Sequence, residues 1–570
     1  VKDYGDDSDF YHEVTSLDCL AWQDIDGERD PQCLPLGGLS TWASLPGPPD
    51  PVKPKVFLTA AIDSATLFHD QVPAASDVAA TLAAILGAAD LLGRSPYVAD
   101  LPSQIVVALF QGEQWGYIGS RRFIHDLLSF ECENLVDASE SSKDGGGGSL
   151  CLNPMYPSLA FQQLGSSSAV QHVLAVDQVA LVSDDGQANL FVHPTMGGGD
   201  LADKLIIAAD SVDAVTVAKA FQPEDPDDPD TADPALPPSP LTSFVSHMPK
   251  QVSGAVLAGY DRHFLNARYH TQYDIIEMVD LEYVRGISEF LAYAMFAAAG
   301  GDVSGGLGAE LDNELVADLL ECLTQNLTCS TVDSYLSQEE ANLSERAGVD
   351  ITLIDHPDPN EVASGAEVGE RKNMRQGGQP NYYSGVFGIG PNGQPVMARR
   401  GGESPGLYAR FDDKWNAETD YMYAVSSPLE GFLRAFLADK FTQESKTQRG
   451  DTPTECKTSS DCGPCEDSNS DDIGNMECVY GGQCACRVSF HHVALDPGIQ
   501  ATEVPNKFDV IDQSSPIFTE PNWRYLGAKL YPYSGKSIEL ISLLLGICIT
   551  VLSAGGSYIL QQMLIKKKLL

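Results

Sequence analysis

Toward its C-terminal end the chain reads LISLLLGICITVLSAGGSYIL over residues 540–560, a stretch without a charged side chain. As a helix rising 1.5 Å per residue it spans roughly 31 Å, about the thickness of a bilayer's hydrocarbon core. Lys566, Lys567 and Lys568 follow closely. Cationic residues flank spans on the cytosolic side, so a single membrane helix over 538–562 and a cytosolic tail over 563–570 are expected. Everything before them is then lumenal or extracellular, in the endoplasmic reticulum, Golgi, endosomes and plasma membrane. Val1 is no initiator methionine and no apolar leader follows it, so a signal peptide is expected to have preceded it. A buried core helix is the rival reading of the apolar run, and the basic stop and terminal position count against it.

Of the 570 residues, 35 are Lys or Arg and 80 are Asp or Glu, a net charge of −45. A phosphate backbone would be repelled, which excludes nucleic-acid binding. With 43% hydrophobic residues there is enough apolar side chain for a large core. Thirteen cysteines suit an oxidising compartment. Cys548 lies in the apolar run, which leaves an even set outside it, so all of those can pair. Cys456, Cys462, Cys465, Cys478, Cys484 and Cys486 crowd a segment over 456–486 rich in Asp, Ser and Gly, which needs covalent staples. A zinc knuckle at Cys462 and Cys465 is the alternative. Separation favours Cys19 with Cys33, Cys132 with Cys151 and Cys322 with Cys329, although sequence does not fix connectivity. Asn326 and Asn342 open glycosylation sequons on the lumenal side.

Between Lys55 and about Gly300 strand and helix patterns alternate. Apolar, β-rich runs fall at 55–63, 104–110, 172–181, 188–194 and 255–261. Helical periodicity covers 76–95, with Ser76 as its N-cap, and 281–299. Strands apolar throughout are covered on both faces, so the expected fold is α/β, a doubly wound or mixed sheet flanked by helices. The Pro- and Asp-rich stretch 223–240 reads as a surface loop and 141–149 as a flexible insertion. The expected organisation is a residual N-terminal lobe (1–54), the α/β core (55–300), a core extension with insertions (301–455), the cysteine-rich segment (456–486) and a membrane-proximal region (487–537).

In open α/β sheets chemistry gathers beyond the carboxyl ends of the strands. There the sequence places Ala61-Ile62-Asp63-Ser64, Gln111 to Ser120, Asp177, and Tyr269-His270-Thr271-Gln272-Tyr273-Asp274. These positions resemble the co-catalytic di-zinc aminopeptidases, and the resemblance implies a broken site. Ala61 stands where that family has its first histidine ligand, and Asp63 keeps the supporting carboxylate. Pro73 falls near the bridging aspartate, and Gln114 replaces the liganding glutamate. Asp177 and His270 alone match ligand positions, fewer than the three that a catalytic zinc keeps. Glu113 matches the general base, without a metal-bound water to deprotonate.

A degenerate aminopeptidase-like ectodomain with Gly116-Tyr117-Ile118-Gly119-Ser120 and one C-terminal span resembles the nicastrin family, lumenal subunits of γ-secretase. The family pattern departs here at Gly116, usually Asp, and at His270, which animal members tend to lack. Only about 50 residues precede the first core strand, so the lid formed by the family's N-terminal lobe is in question. The resemblance implies no cofactor and no catalysis. It implies partnership with presenilin and two smaller polytopic subunits, and membrane-protein stubs as substrates. Glu113 and Tyr117 would meet the stub's amino terminus, or form part of a steric gate. Read from chemistry alone, Glu113 caps the following helix and Tyr117 packs. Trp115 either lines the pocket or fills it, and Asp177 with His270 form either a hydrogen-bonded pair or a metal remnant. Gly546, Thr550, Ser553 and Ser557 share one face of the membrane helix, allowing a packed partner, where the alternative is a lone anchor. The functional alternatives are an active membrane-tethered metallo-aminopeptidase and an adhesion or carrier ectodomain.

Overall fold

The computed structural model describes residues 15–566 except 24–25, 30, 70, 133, 138–148, 154, 157, 166–168, 182–187, 221–235, 249–251, 328, 348–379, 386, 390–394, 398–426, 443–455, 458–461, 463–475, 502–506 and 522–535. The chain divides into two units, Val1–Trp523 and Arg524–Leu570.

The first unit is organised by an eight-stranded mixed sheet. Its strands are β1 (Gly37–Leu45), β2 (Lys55–Ala61), β3 (Gln104–Phe110), β4 (Val170–Asp177), β5 (Ala188–Pro194), β6 (Val215–Lys219), β7 (Gly254–Ala258) and β8 (Ser489–Leu495). They lie side by side as β6-β5-β7-β4-β2-β3-β1-β8. The pairs β6–β5, β7–β4, β4–β2 and β2–β3 are parallel. The pairs β7–β5, β1–β3 and β8–β1 are antiparallel. The mixed α/β sheet expected from the sequence is therefore present.

Every residue of β3 is buried. Side chains alternate across a strand, so Ile105, Val107 and Leu109 enter one core and Val106, Ala108 and Phe110 the other. Both cores need helices to close them. These are α1 (Ala80–Arg94), α2 (Ile118–Ser129), α3 (Gly199–Ala209), α4 (Leu241–His247), α5 (Leu281–Ala298), α6 (Asn313–Gln325), α7 (Ser330–Ala347) and α8 (Pro428–Phe441). α1 packs against α5, α6 and α8, while α2 packs against β8 and α4. On the α2 face an aromatic cluster fills the layer, with Trp42 and Phe110 against Phe123 and Phe57 against Phe244.

The start of α1 differs from expectation. Ser76 is not its N-cap: Ala75–Ala79 form a π-helical turn after Ala74 in the left-handed region at φ 42°. The Asp274 carboxylate accepts the backbone N–H groups of Ser76 and Asp77 from 198 and 197 residues away, along with the Ser76 hydroxyl. A tertiary cap replaces the local one, which no local pattern encodes. β1 lies within 1–54 and β8 within 487–537, so segments read as flanking regions complete the central sheet. The stretch 223–240 falls largely outside the described residues, but at its end Ser239 and Pro240 are buried rather than forming free surface. Residues 141–148 of the glycine-rich insertion also lie outside them.

Disulfides join Cys19 to Cys33 and Cys322 to Cys329, as expected. Cys456 pairs with Cys478 and Cys462 with Cys484. The Cys462–Cys484 bond sets aside a knuckle on Cys462 and Cys465. Cys132 and Cys486 are disulfide-bonded, and the Cys151 side chain and Cys465 lie outside the described residues.

The second unit holds α9 (Lys536–Lys566), 31 residues long and roughly 46 Å at the helical rise. Over Leu544–Leu564 its mean hydropathy is 1.6 and no side chain is buried within the unit. The stretch Ala75–Arg94 is almost as apolar, at 1.5, but wholly buried. It is a core helix, and α9 is the candidate span.

Gly93 marks the closest crossing of α1 and α8. A Cβ there would lie 1.9 Å from the backbone oxygen of Lys440, which cannot move without shifting α8. Gly93→Ala is expected to destabilise the first unit by about 1–3 kcal/mol, read as a lowered thermal midpoint.

Candidate functional site

From β2 the chain crosses to β3 on one side of it and later to β4 on the other. The carboxyl ends of these parallel strands therefore part around a crevice, the usual ligand position in such sheets. A cavity of about 190 Å³ lies there, lined by Ala61 from the end of β2, Glu113, Gln114 and Tyr117 beyond β3, Asp177 from the end of β4, Asp77 before α1, and Tyr269. It is smaller than the roughly 300–1,000 Å³ of drug-sized ligand pockets. A chain terminus or one side chain is the most it admits.

The turn after β3 is held by carboxylates. Gly112 and Gly116 adopt φ of 78° and 74°, and Tyr117 follows at 59°, a conformation that costs a side-chain-bearing residue. Asp63, fully buried, accepts the N–H groups of Glu113 at 2.8 Å and Gln114 at 3.3 Å. Glu113, 5% exposed, is taken up by α2: Ser120 donates its backbone N–H to one carboxylate oxygen and its hydroxyl to the other, each at 2.8 Å. Tyr117, the helix's own cap residue, supplies no side-chain bond. The structure thus brings Glu113 to the cavity wall already engaged as the cap of α2.

Asp177 accepts the Tyr260 hydroxyl at 2.8 Å and the Gln178 amide at 3.3 Å. It does not pair with His270. The His270 Nε2 lies 3.7 Å from Asp77 Oδ2, beyond a hydrogen bond. Asp77 in turn accepts the Ser64 hydroxyl at 2.5 Å. Pro73 does not line the cavity, and Asp77 does. Trp115 fills rather than lines: it packs among Phe518, Tyr383 and His69. Asp77 and Asp274 were not singled out from the sequence. A usable signal existed in Asp77, an acidic residue in the first turn of an otherwise apolar helix, which either meets solvent or does something specific.

These donors do not fit a metal pair. Ala61 offers no ligand atom, and Gln114 offers only an uncharged amide. Asp77, Asp177 and His270 do not bring three ligand atoms within 4.8 Å of one another. Burial favours the protonated forms of the carboxyls around the cavity. Burial pushes Asp63 up to about 7, Glu113 to about 8 and Asp177 to about 6, and raises Asp77 and Asp274. Burial lowers His270 to about 4, so it stays uncharged at neutral pH. An uncharged carboxyl at Glu113 is a weak partner for an ammonium group.

Each of these carboxyls binds its proton more tightly folded than unfolded. Their stabilising contribution is full below the ordinary carboxylate range and is lost as pH rises through about 6 to 8. The first unit is expected to melt at a higher temperature near pH 5.5 than near pH 8.5. Glu113→Gln, which keeps an acceptor for Ser120 but cannot titrate, is expected to narrow that difference, measured by thermal melts across pH.

Residues 54–300 match the family model described as the nicastrin large lobe. A curated nicastrin from Arabidopsis thaliana is 25% identical over 544 residues, covering 92% of this chain and 64% of that protein. One from Dictyostelium purpureum is 24% identical, covering 92% and 65%. The chain thus spans a little under two thirds of these relatives. A crystal structure of the γ-secretase component nicastrin superposes with a TM-score of 0.59 at 23% identity, covering 86% of this chain and 68% of that one, a likeness of fold.

Proposed function

We propose that the chain is a member of the nicastrin family, which its large-lobe match over residues 54–300 supports, and that it serves as a non-catalytic glycoprotein subunit of γ-secretase, stabilising the complex and admitting membrane-protein stubs while rejecting bulky ectodomains. The observation that carries this reading is the fate of the carboxylates around the cavity. Glu113 is spent on Ser120, Asp63 on the turn beyond β3 and Asp177 on Tyr260. None is left as a base beside a set of ligands, as a hydrolytic centre needs. The small cavity supports steric selection over cleavage. Glu113, Tyr117 and Trp115 remain the residues through which a stub's end would be sensed, Glu113 and Tyr117 at the wall and Trp115 behind it. Asp63, Asp177 and His270 are read as remnants of the ancestral site.

The partners in this reading are presenilin and the two smaller polytopic subunits. They would meet α9 on the face carrying Gly546, Thr550, Ser553 and Ser557. Thr550 returns its hydroxyl to the Gly546 carbonyl at 2.8 Å, which satisfies that hydroxyl within the helix and leaves the face small. The ectodomain would lie in the lumen and the C-terminus in the cytosol. Asn326, exposed after α6, is the better presented glycosylation site. Asn342 falls within α7, where its side chain is outside the described residues.

Affinity isolation of the full chain in mild detergent is expected to bring down presenilin and both smaller subunits. The purified protein is expected to hydrolyse no aminopeptide. Stoichiometric zinc with turnover abolished by Glu113→Gln would overturn the reading in favour of a membrane-tethered metallo-aminopeptidase. Isolation without polytopic partners would favour an adhesion or carrier ectodomain. Asn326→Gln is expected to remove one glycan, read as a mobility shift that enzymatic deglycosylation erases.

A further inference from the structure

The turn that carries Tyr117 is gripped from outside by Asp496, Ser515 and Phe518, residues that precede α9 in sequence. Arg121, on the first turn of α2, bridges the two. Its Nη1 donates to the Gly116 carbonyl at 3.2 Å and to Asp496 Oδ2 at 3.1 Å, while its Nη2 donates to Ser515 Oγ at 2.7 Å. The Ser515 hydroxyl donates in turn to Asp496 Oδ1 at 2.6 Å. The ion pair is well shielded, with side-chain exposures of 13% for Arg121 and 2% for Asp496.

Phe518 grips the same turn by contact. A Cβ at Gly116 would lie 2.8 Å from its ring, and Trp115 packs against that ring at 6.0 Å between centroids. Gly116 therefore meets two demands, a left-handed φ of 74° and clearance for Phe518. Tyr117 then sits in a conformation that persists only where its surroundings impose it. Its own local bonds, from its N–H to the Glu113 carbonyl and from the Ile118 N–H to the Gly112 carbonyl, stay within the turn. They fix the shape of the turn, and Asp63 ties its start at Glu113 and Gln114 to the end of β2, which leaves Arg121 and Phe518 to act on its later part at Gly116 and Tyr117.

We propose that Arg121 and Phe518 are positioning residues for the cavity, so that Asp496, Ser515 and Phe518 help set where Tyr117 stands and thereby the shape of the wall. This rests on the cavity's geometry and holds whether or not the chain serves the complex proposed above. The coupling is directional in sequence. A displacement of Asp496, Ser515 or Phe518 reaches the cavity through the Arg121 guanidinium and the Phe518 ring, beside the packing of β8 on α2.

Hydrogen–deuterium exchange on the full chain in detergent tests it, comparing the peptide over 111–121 with 75–83, which carries the opposite wall. Phe518→Ala and Arg121→Gln are each expected to speed exchange in 111–121 about tenfold and leave 75–83 unchanged. Gly116→Ala is expected to disturb the wild-type chain more than the Phe518→Ala chain, where the obstructing ring is gone. Unchanged protection of 111–121 in both variants overturns the proposal. Equal acceleration of both peptides also overturns it, because the effect would then be general loosening. If Phe518→Ala does not fold, Phe518→Leu, which keeps the bulk but not the ring, is read by the same two criteria.

Discussion

β2 is paired on both edges and packed on both faces, so its carboxyl end has no freedom of its own. Whatever follows Ala61 must begin from a fixed point and direction. β3 and β4 flank it in parallel register, and their ends are fixed with it. The crevice between them is a consequence of strand order, present before any side chain is chosen to line it. The side chains then decide between chemistry and architecture.

They decide for architecture. A buried carboxylate must find donors or keep its proton, and here each finds both. Asp63 caps a turn, Glu113 and Asp274 cap helices, and Asp177 anchors a tyrosine. What would serve as ligands and a base in a hydrolase instead holds the loops that form the cavity.

The central strands were legible because they are apolar on both faces, a pattern that few alternatives satisfy. The runs at 104–110 and 188–194 appear as strands with those bounds. β1 and β8 were not anticipated: GGLSTWASL and SFHHVAL carry polar residues that are buried only because α8 and α2 cover them. The site was half legible. Glu113, Tyr117 and Asp177 follow from their positions after strands, and all three line the cavity. The Asp274 cap could not be read, since its meaning lies in a contact made across nearly two hundred residues, while Asp77 offered a signal in its acidic place at the start of an apolar helix. The expected His270–Asp177 bond failed for a related reason. Tyr260 reaches Asp177 from the loop after β7, and one-dimensional spacing says nothing about which donor arrives.

The burial of α1 has a bearing on biosynthesis. The stretch Ala75–Arg94 has nearly the mean hydropathy of the candidate span itself, and α8, which covers part of it, lies some 340 residues later in the chain. A translocation channel sorts segments by apolarity while they pass, before any tertiary partner exists to distinguish a core from an anchor. If the chain is translocated, as the lumenal reading proposed above requires, Asp77, Asp90 and Arg94 are the charges that would mark this stretch as one to let through. The same Asp90 receives Arg94 and Lys440 in the folded protein, so in that reading the side chain that would guard against insertion also ties α1 to α8.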